Sequence, residues 1–206
     1  RDGIKGDVFN GPEPGFISGR LGMEERVKFG IVAATAHPQL CYERVNYDHG
    51  PWAVAPGQAV VYCEAHDNLT LWDKLALTNP EEPETLRIQR HKLAGAIVLT
   101  SQGIPFLHAG QEFLRTKGGN ANSYLASDEI NQLDWARKAR YEEVYTYYRG
   151  LIALRKAHPA FRLRTTEQIQ THLRFLELPP QLIGYTLGEH ANGDSWRMIV
   201  VLFNAH

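Results

Sequence analysis

The chain has 206 residues, 43% of them hydrophobic and 22% charged, with a formal net charge of −1, proportions that suit one large globular domain or two small ones. So even a charge balance gives no pull toward nucleic acid or an anionic membrane surface, and neither is expected as a partner. The longest apolar stretches, 93–99 and 198–203, fall well short of the roughly 20 residues that span a bilayer, so the chain reads as soluble. Cys41 and Cys63 have neither metal-ligand nor redox-motif spacing and read as two buried free thiols.

From the beginning, residues 1–6 hold no initiator methionine and no signal-peptide core, and they are expected to continue an earlier stretch of a longer protein. Residues 24–35 carry Val27, Ile31 and Ala34 on one helical face. Residues 36–57 contain Pro38, Pro51 and Pro56 and read as a loop-rich bridge. Then Val60-Val61-Tyr62-Cys63 stops abruptly at Glu64, His66, Asp67 and Asn68. A strand covered on both faces is apolar throughout and holds its chemistry at its ends, so function is sought at this end.

A helix is predicted over 70–77, capped by Asn68 or Thr70. A longer one over 84–101 has Leu86, Leu93 and Ile97 at near-heptad spacing, with Glu84 ahead of Arg87, Arg90 and Lys92 as the helix dipole prefers. Gly103 and Pro105 stop it, and 104–108 reads as a second short buried strand that yields to Gln111 and Glu112. Strand, helix, strand normally closes as a right-handed crossover between parallel neighbours. Both polar ends, His66-Asp67 and Gln111-Glu112, are therefore expected at one sheet edge, facing a common hollow.

Residues 115–131 are rich in Gly, Asn and Ser and too polar for a core. Residues 142–157 form an amphipathic helix with Val144, Tyr148, Leu151 and Ile152 inward, ended by Pro159. The period then changes: 172–178, 182–187 and 196–203 are strand-like, with Asn192-Gly193 as a hairpin signal between the last two. The domain boundary is expected near Phe161, dividing 1–160 from 161–206. His206 closely follows the last apolar strand, whose sheet partners are not all present, so the second unit is expected to be incomplete.

Two long strings carry a family resemblance. Residues 62–75, Tyr-Cys-Glu-Ala-His-Asp-Asn-Leu-Thr-Leu-Trp-Asp-Lys-Leu, resemble the fourth conserved region of the α-amylase clan in the form found in type I pullulanases. Residues 101–120, Ser-Gln-Gly-Ile-Pro-Phe-Leu-His-Ala-Gly-Gln-Glu-Phe-Leu-Arg-Thr-Lys-Gly-Gly-Asn, are similar to the stretch around the eighth barrel strand of the same enzymes. Asn122-Ser123-Tyr124 and 131–135 follow at matching spacing. The resemblance implies an α/β fold: the C-terminal part of a (β/α)8 TIM barrel over 1–160, followed by the start of an all-β sandwich over 161–206.

It also implies chemistry. Retaining glycoside hydrolysis uses a carboxylate nucleophile and a carboxylic acid about 5 Å apart, around an oxocarbenium-like transition state. A third carboxylate that grips vicinal hydroxyls of the distorted ring stabilises the developing charge. By the resemblance Asp67 takes this third role and His66 donates to a hydroxyl of the same glucose, while the nucleophilic Asp and the acid Glu lie upstream of Arg1. The resemblance places Glu64 within the strand and Glu112 in a supporting position, so neither rebuilds a catalytic carboxylate pair around Asp67. Taken alone, His66-Asp67 also fits a helix N-cap beside a satisfied histidine.

Asn120, Asn122, Asp128 and Asn131 are candidate sugar ligands and equally turn residues. Tyr42, Tyr47 and Trp52 either stack on sugars at a cleft rim or pack locally. The implied partners are an α-glucan oligosaccharide or polysaccharide and the remaining N-terminal part of the same enzyme. The implied reaction is cleavage of α-1,6-glucosidic links in pullulan and branched α-glucans. An isoamylase-like debranching enzyme, and a non-catalytic carbohydrate-binding or barrel-completing piece, are the alternatives. No metal site and no cofactor is expected, with calcium in the full-length protein left open, as is location, secreted or cytoplasmic.

Overall fold

The structure, a computed structural model, describes residues 1–45 and 49–206, so Tyr47 lies outside the described residues. The chain begins with a single helical turn, α1 (Asp2–Lys5), and α2 (Glu24–Ile31). Helix α2 stops before the expected end because Ala33 and Ala34 adopt left-handed φ values of 55° and 56°. That reversal turns the Ala34 carbonyl to accept from the Ala53 amide at 3.1 Å, pinning the loop-rich bridge to the end of the helix.

Strand β1 (Val60–Val61) leads through a turn to α3 (Leu71–Thr78) and α4 (Glu84–Thr100), and β2 (Ile104–Pro105) pairs in parallel with β1, Val60 opposite Ile104. The expected order and pairing hold, but both strands are shorter than their apolar runs. They are not covered on both faces either. Val61 and Cys63 join the core with Ile97 and Val98, whereas Val60, Ile104 and Phe106 are exposed. Among the described residues β1 and β2 have only each other as sheet neighbours.

Within α4 the buried face is His91, Ala94, Gly95, Ile97 and Val98, while Leu86 is exposed. Of the expected stripe Ile97 is buried and Leu93 packs partly buried on the core, but the contact of α4 with α7 (Glu142–Ala157) runs through a glycine. A Cβ on Gly95 would lie 2.5 Å from Cζ of Tyr148, so the bare backbone is what admits that ring. Before α7 come α5 (Asp128–Asn131) and α6 (Ala136–Arg140), two short helices within and just after the polar loop. In α7, Val144 and Tyr148 face inward as expected but Ile152 is exposed. Arg155 takes the buried position near that end, donating to the Leu99, Ser101 and Gly103 carbonyls where α4 ends. Those groups have no intrahelical partner, so the cation and its fork of donors suit the place.

A helix the sequence reading did not anticipate, α8 (Thr166–His172), is capped by Thr165, whose hydroxyl accepts from the Gln168 amide at 3.2 Å. Then β3 (Leu173–Phe175), β4 (Leu182–Gly188) and β5 (Met198–Asn204) form an antiparallel sheet in that order. Asn192 does sit in the left-handed region at φ 55°, but within a longer connection over 189–197 rather than a two-residue turn. One face of this sheet, with Leu173, Phe175, Ile183, Tyr185 and Phe203, packs into the same core as α2 and α4. Tyr185 donates from there to the Thr100 carbonyl at 2.8 Å.

Candidate active site

The turn from β1 to α3 is built by its backbone partners. Thr70, not Asn68, is the N-cap: its hydroxyl accepts from the Asp73 amide at 3.1 Å. Glu64, fully buried, accepts from the Leu71 amide and lies 3.0 Å from Nδ1 of His108. Nε2 of His108 lies 3.1 Å from Nη1 of Arg115. A guanidinium only donates, so Nε2 accepts and the proton on Nδ1 goes to Glu64. Arg115 also donates to the Ala109 carbonyl at 3.1 Å and to the carbonyl of Asn131. A chain of carboxylate, imidazole and guanidinium thus ties the end of β1 to the loop after β2.

His66 and Asp67 stand outside this chain. Their side chains are 84% and 76% exposed, and Nε2 of His66 lies 3.6 Å from a carboxylate oxygen of Asp67. Neither caps α3, so the structural alternative, an N-cap beside a satisfied histidine, does not describe them. Asn68 reverses the chain with φ 65°. Beneath the turn, Lys117 donates to the His66 carbonyl and Lys5 to the Leu69 carbonyl at 3.1 Å. Burial lowers the proton affinity of both amines. Nearby Arg115 lowers that of Lys117 further, while Asp67, Glu64 and Asp73 oppose it; Glu64 does the same for Lys5.

Neither of two cavities in the described residues supplies the expected common hollow. A cavity of about 430 Å³, lined by Ile4, Val27, Val60 and Tyr62 among others, and one of about 720 Å³ between β2 and α7 both exclude His66 and Asp67. Gln111 and Glu112 do not join them either. Gln111 is fully buried and donates to Sγ of Cys63 at 3.2 Å and to the Tyr148 hydroxyl at 3.1 Å; Glu112 accepts from the Gly110 amide at 3.1 Å. The chain after β2 enters a 3₁₀ turn at Gln111–Phe113, and this rotates the glutamine inward. Burial pushes the Cys63 thiol up to about 12, so it is an inert core thiol. Cys41, expected buried, is partly exposed, with its Sγ 3.2 Å from Oε2 of Glu43.

The loop candidates divide. The Asn131 amide donates to the Ser123 and Ala126 carbonyls at 2.7 and 3.1 Å, holding the loop's shape. The Asn120 side chain accepts from the Asn122 amide at 2.9 Å. Asn122 and Asp128 are exposed, Asp128 opening α5. Of the aromatics, Tyr42 packs locally, its hydroxyl accepting from the His37 amide at 2.8 Å, while Trp52 is exposed. The sequence reading missed Lys5, His108, Arg115 and Lys117 as shapers of this region. Arg115 and Lys117 stand ten and twelve residues past Pro105 in a polar loop, where nothing in the pattern marks them as donors to buried carbonyls. Among the described residues no group of three His, Cys, Asp or Glu side chains is placed to hold a metal.

The fold is an α/β assembly, a parallel strand pair under helices joined to a small antiparallel sheet, and it is shared with proteins of known class. Residues 169–206 match the family model described as the pullulanase all-beta domain. The chain is 43% identical over 205 residues to the pullulanase of Bacillus subtilis strain 168, covering 100% of this chain and 27% of that protein. It superposes on the crystal structure of pullulanase from Paenibacillus barengoltzii in complex with maltohexaose and alpha-cyclodextrin with a TM-score of 0.92 and 51% identity, covering 100% of this chain and 31% of that one. A stretch of 67 residues is 45% identical to the isoamylase of a Flavobacterium, covering 32% of this chain and 9% of that protein. The chain is therefore a pullulanase homologue, corresponding to a C-terminal segment that spans about a quarter of the length of its Bacillus relative.

Proposed function

We propose that this chain is the C-terminal part of a retaining debranching glycoside hydrolase that cleaves α-1,6-glucosidic links in pullulan and branched α-glucans. In this reading residues 1–160 complete a (β/α)8 barrel and 161–206 begin a β-sandwich. The observation that carries it is the freedom of His66 and Asp67: they sit at the polar end of β1, outside capping and core, in a chain similar throughout to a pullulanase that was crystallised with maltohexaose.

Asp67 binds vicinal hydroxyls of the glucose whose link is broken and stabilises the positive charge that spreads over the ring oxygen and anomeric carbon. His66 donates to a hydroxyl of the same sugar. Asn120, Asn122, Asp128 and Asn131 line the approach, and of these Asn122 and Asp128 have the more exposed side chains. The nucleophilic carboxylate, which attacks the anomeric carbon, and the acid, which protonates the departing oxygen, come from the preceding part of the polypeptide. That part also supplies the wall facing His66 and Asp67. These steps call for no cofactor.

Replacing Asp67 by Ala in the full-length protein is expected to lower turnover on pullulan by about a hundredfold or more, the loss typical of removing a group aimed at transition-state charge. A loss under tenfold refutes the stabiliser role. His66→Ala is expected to act more mildly on both binding and rate. The isoamylase match supports a second reading, an isoamylase-like enzyme, and a preference for branched glucan over pullulan in the full-length protein selects it. Hydrolysis of pullulan by purified residues 1–206 alone contradicts both the assigned division of labour and a purely binding role.

A further inference from the structure

Two ammonium groups lie beneath the turn that carries His66 and Asp67. Lys117 is 3% exposed and Lys5 is 2% exposed. Lys117 holds the carbonyl at the start of the turn, His66, and Lys5 the carbonyl at its end, Leu69. Burying an ammonium forfeits hydration worth several kcal/mol, and an apolar side chain of similar volume packs such a place at no such cost. Two buried amines on one four-residue turn therefore point to the turn as what they serve.

The backbone of Lys117 is itself fixed. Its amide donates to the Asp73 carboxylate at 2.8 Å, and the Thr116 hydroxyl donates to the other oxygen of that carboxylate. Asp73 belongs to α3, the helix the turn leads into, and its amide is the one capped by Thr70. The anchor is thus bonded directly to the element that receives the turn. With the carbonyls at 66 and 69 drawn inward and Asn68 reversing the chain, the side chains of His66 and Asp67 face outward.

We propose that Lys117, seconded by Lys5, is a positioning residue that fixes the height and direction of the 66–69 turn and so aims the Asp67 carboxylate at the sugar ring. The catalytic half of this proposal rests on the glucan-cleaving reading above, whereas the anchoring half does not. The test uses the full-length protein with Lys117→Met, which keeps the stem but loses charge and donors, and Lys117→Gln, which keeps a donor. Steady-state kinetics on pullulan and amide hydrogen exchange of a peptide spanning 62–72 are measured together.

The expected result is a fall in kcat on the order of tenfold or more for Lys117→Met, as a misplacement near 1 Å produces, with KM changed less than about threefold and faster exchange in the 62–72 peptide. Lys117→Gln recovers part of both. Exchange as slow in Lys117→Met as in the parent protein overturns the anchoring, and faster exchange with unchanged kcat overturns the positioning role. A parent protein that leaves both pullulan and branched α-glucan intact while Lys117→Met exchanges faster sinks the glucan-cleaving reading and upholds the anchor. Should Lys117→Met not fold, Lys117→Gln and Lys5→Met are read by the same two measurements.

Discussion

His91 gives a test of the packing between α4 and α7. The ring is fully buried, with Nδ1 3.2 Å from the Tyr148 hydroxyl and Nε2 without a hydrogen-bond partner. Burial holds its pKa down at about 4, Glu64 opposing and Arg137 assisting. In the unfolded chain the same group titrates near its ordinary 6.5, so between these values the unfolded state binds the extra proton. The stability contributed by neutral His91 is complete above pH 6.5 and is lost as pH falls toward 4. From pH 7 to pH 5 the loss from this group amounts to about 2 kcal/mol.

His91→Leu removes that liability. At pH 7 it costs about 1 kcal/mol for the lost bond, since the Tyr148 hydroxyl keeps Gln111 at 3.1 Å. At pH 5 the variant is expected to be the more stable by about the same amount. Urea unfolding of the full-length protein at both pH values, with hydrogen exchange of α4 and α7 as the local readout, measures the difference. A parent-minus-variant difference that stays constant between pH 5 and 7 refutes the assignment of a buried neutral imidazole.

Other expectations follow from the same geometry. Gly95→Ala gains about 1 kcal/mol of helix propensity, but its Cβ would lie 2.6 Å from the Tyr148 hydroxyl; overpacking of about 1–3 kcal/mol wins, and a raised melting temperature contradicts it. Arg155→Met leaves the carbonyls of Leu99, Ser101 and Gly103 without their donor; a loss of about 3 kcal/mol or more is expected in urea unfolding, and a loss under 1 shows that water replaces the guanidinium. Thr70→Val removes the cap of α3 and costs about 1 kcal/mol, read as faster exchange in 71–74. Residues 1–206 alone expose Val60, Ile104, Val200 and Leu202 on strand faces; poor solubility is expected, and a monomer that melts cooperatively refutes it.

The amino-acid sequence by itself settled the local elements and their kinship. Periodicity and breakers located α2, α3, α4, α7 and the strands of the antiparallel sheet, because a long apolar stripe or alternation is written in neighbouring residues. The parallel neighbours β1 and β2 were legible too, since a helix between two apolar runs leaves few other closures. The two motif strings pointed to the pullulanase kinship that the comparisons support. Tertiary contact decided what pattern does not encode. Leu93 and Ile97 of α4 reached the core, but Leu86 stayed exposed and Gly95 took the contact with α7, because the depth of the Tyr148 ring sets that interface. Gln111 turned inward, because a buried thiol and phenol offered its amide partners.

Lys5 and Lys117 were invisible as anchors for the same reason. Each meets its carbonyl across a large sequence separation, 64 residues for Lys5 and 51 for Lys117, and a charged residue in a polar segment reads as solvated until the fold buries it. The sequence named the groups that face the solvent at the end of β1. Only the packed chain showed what holds their backbone, because hydrogen bonds to a carbonyl leave no mark on the identity of the residue that accepts them.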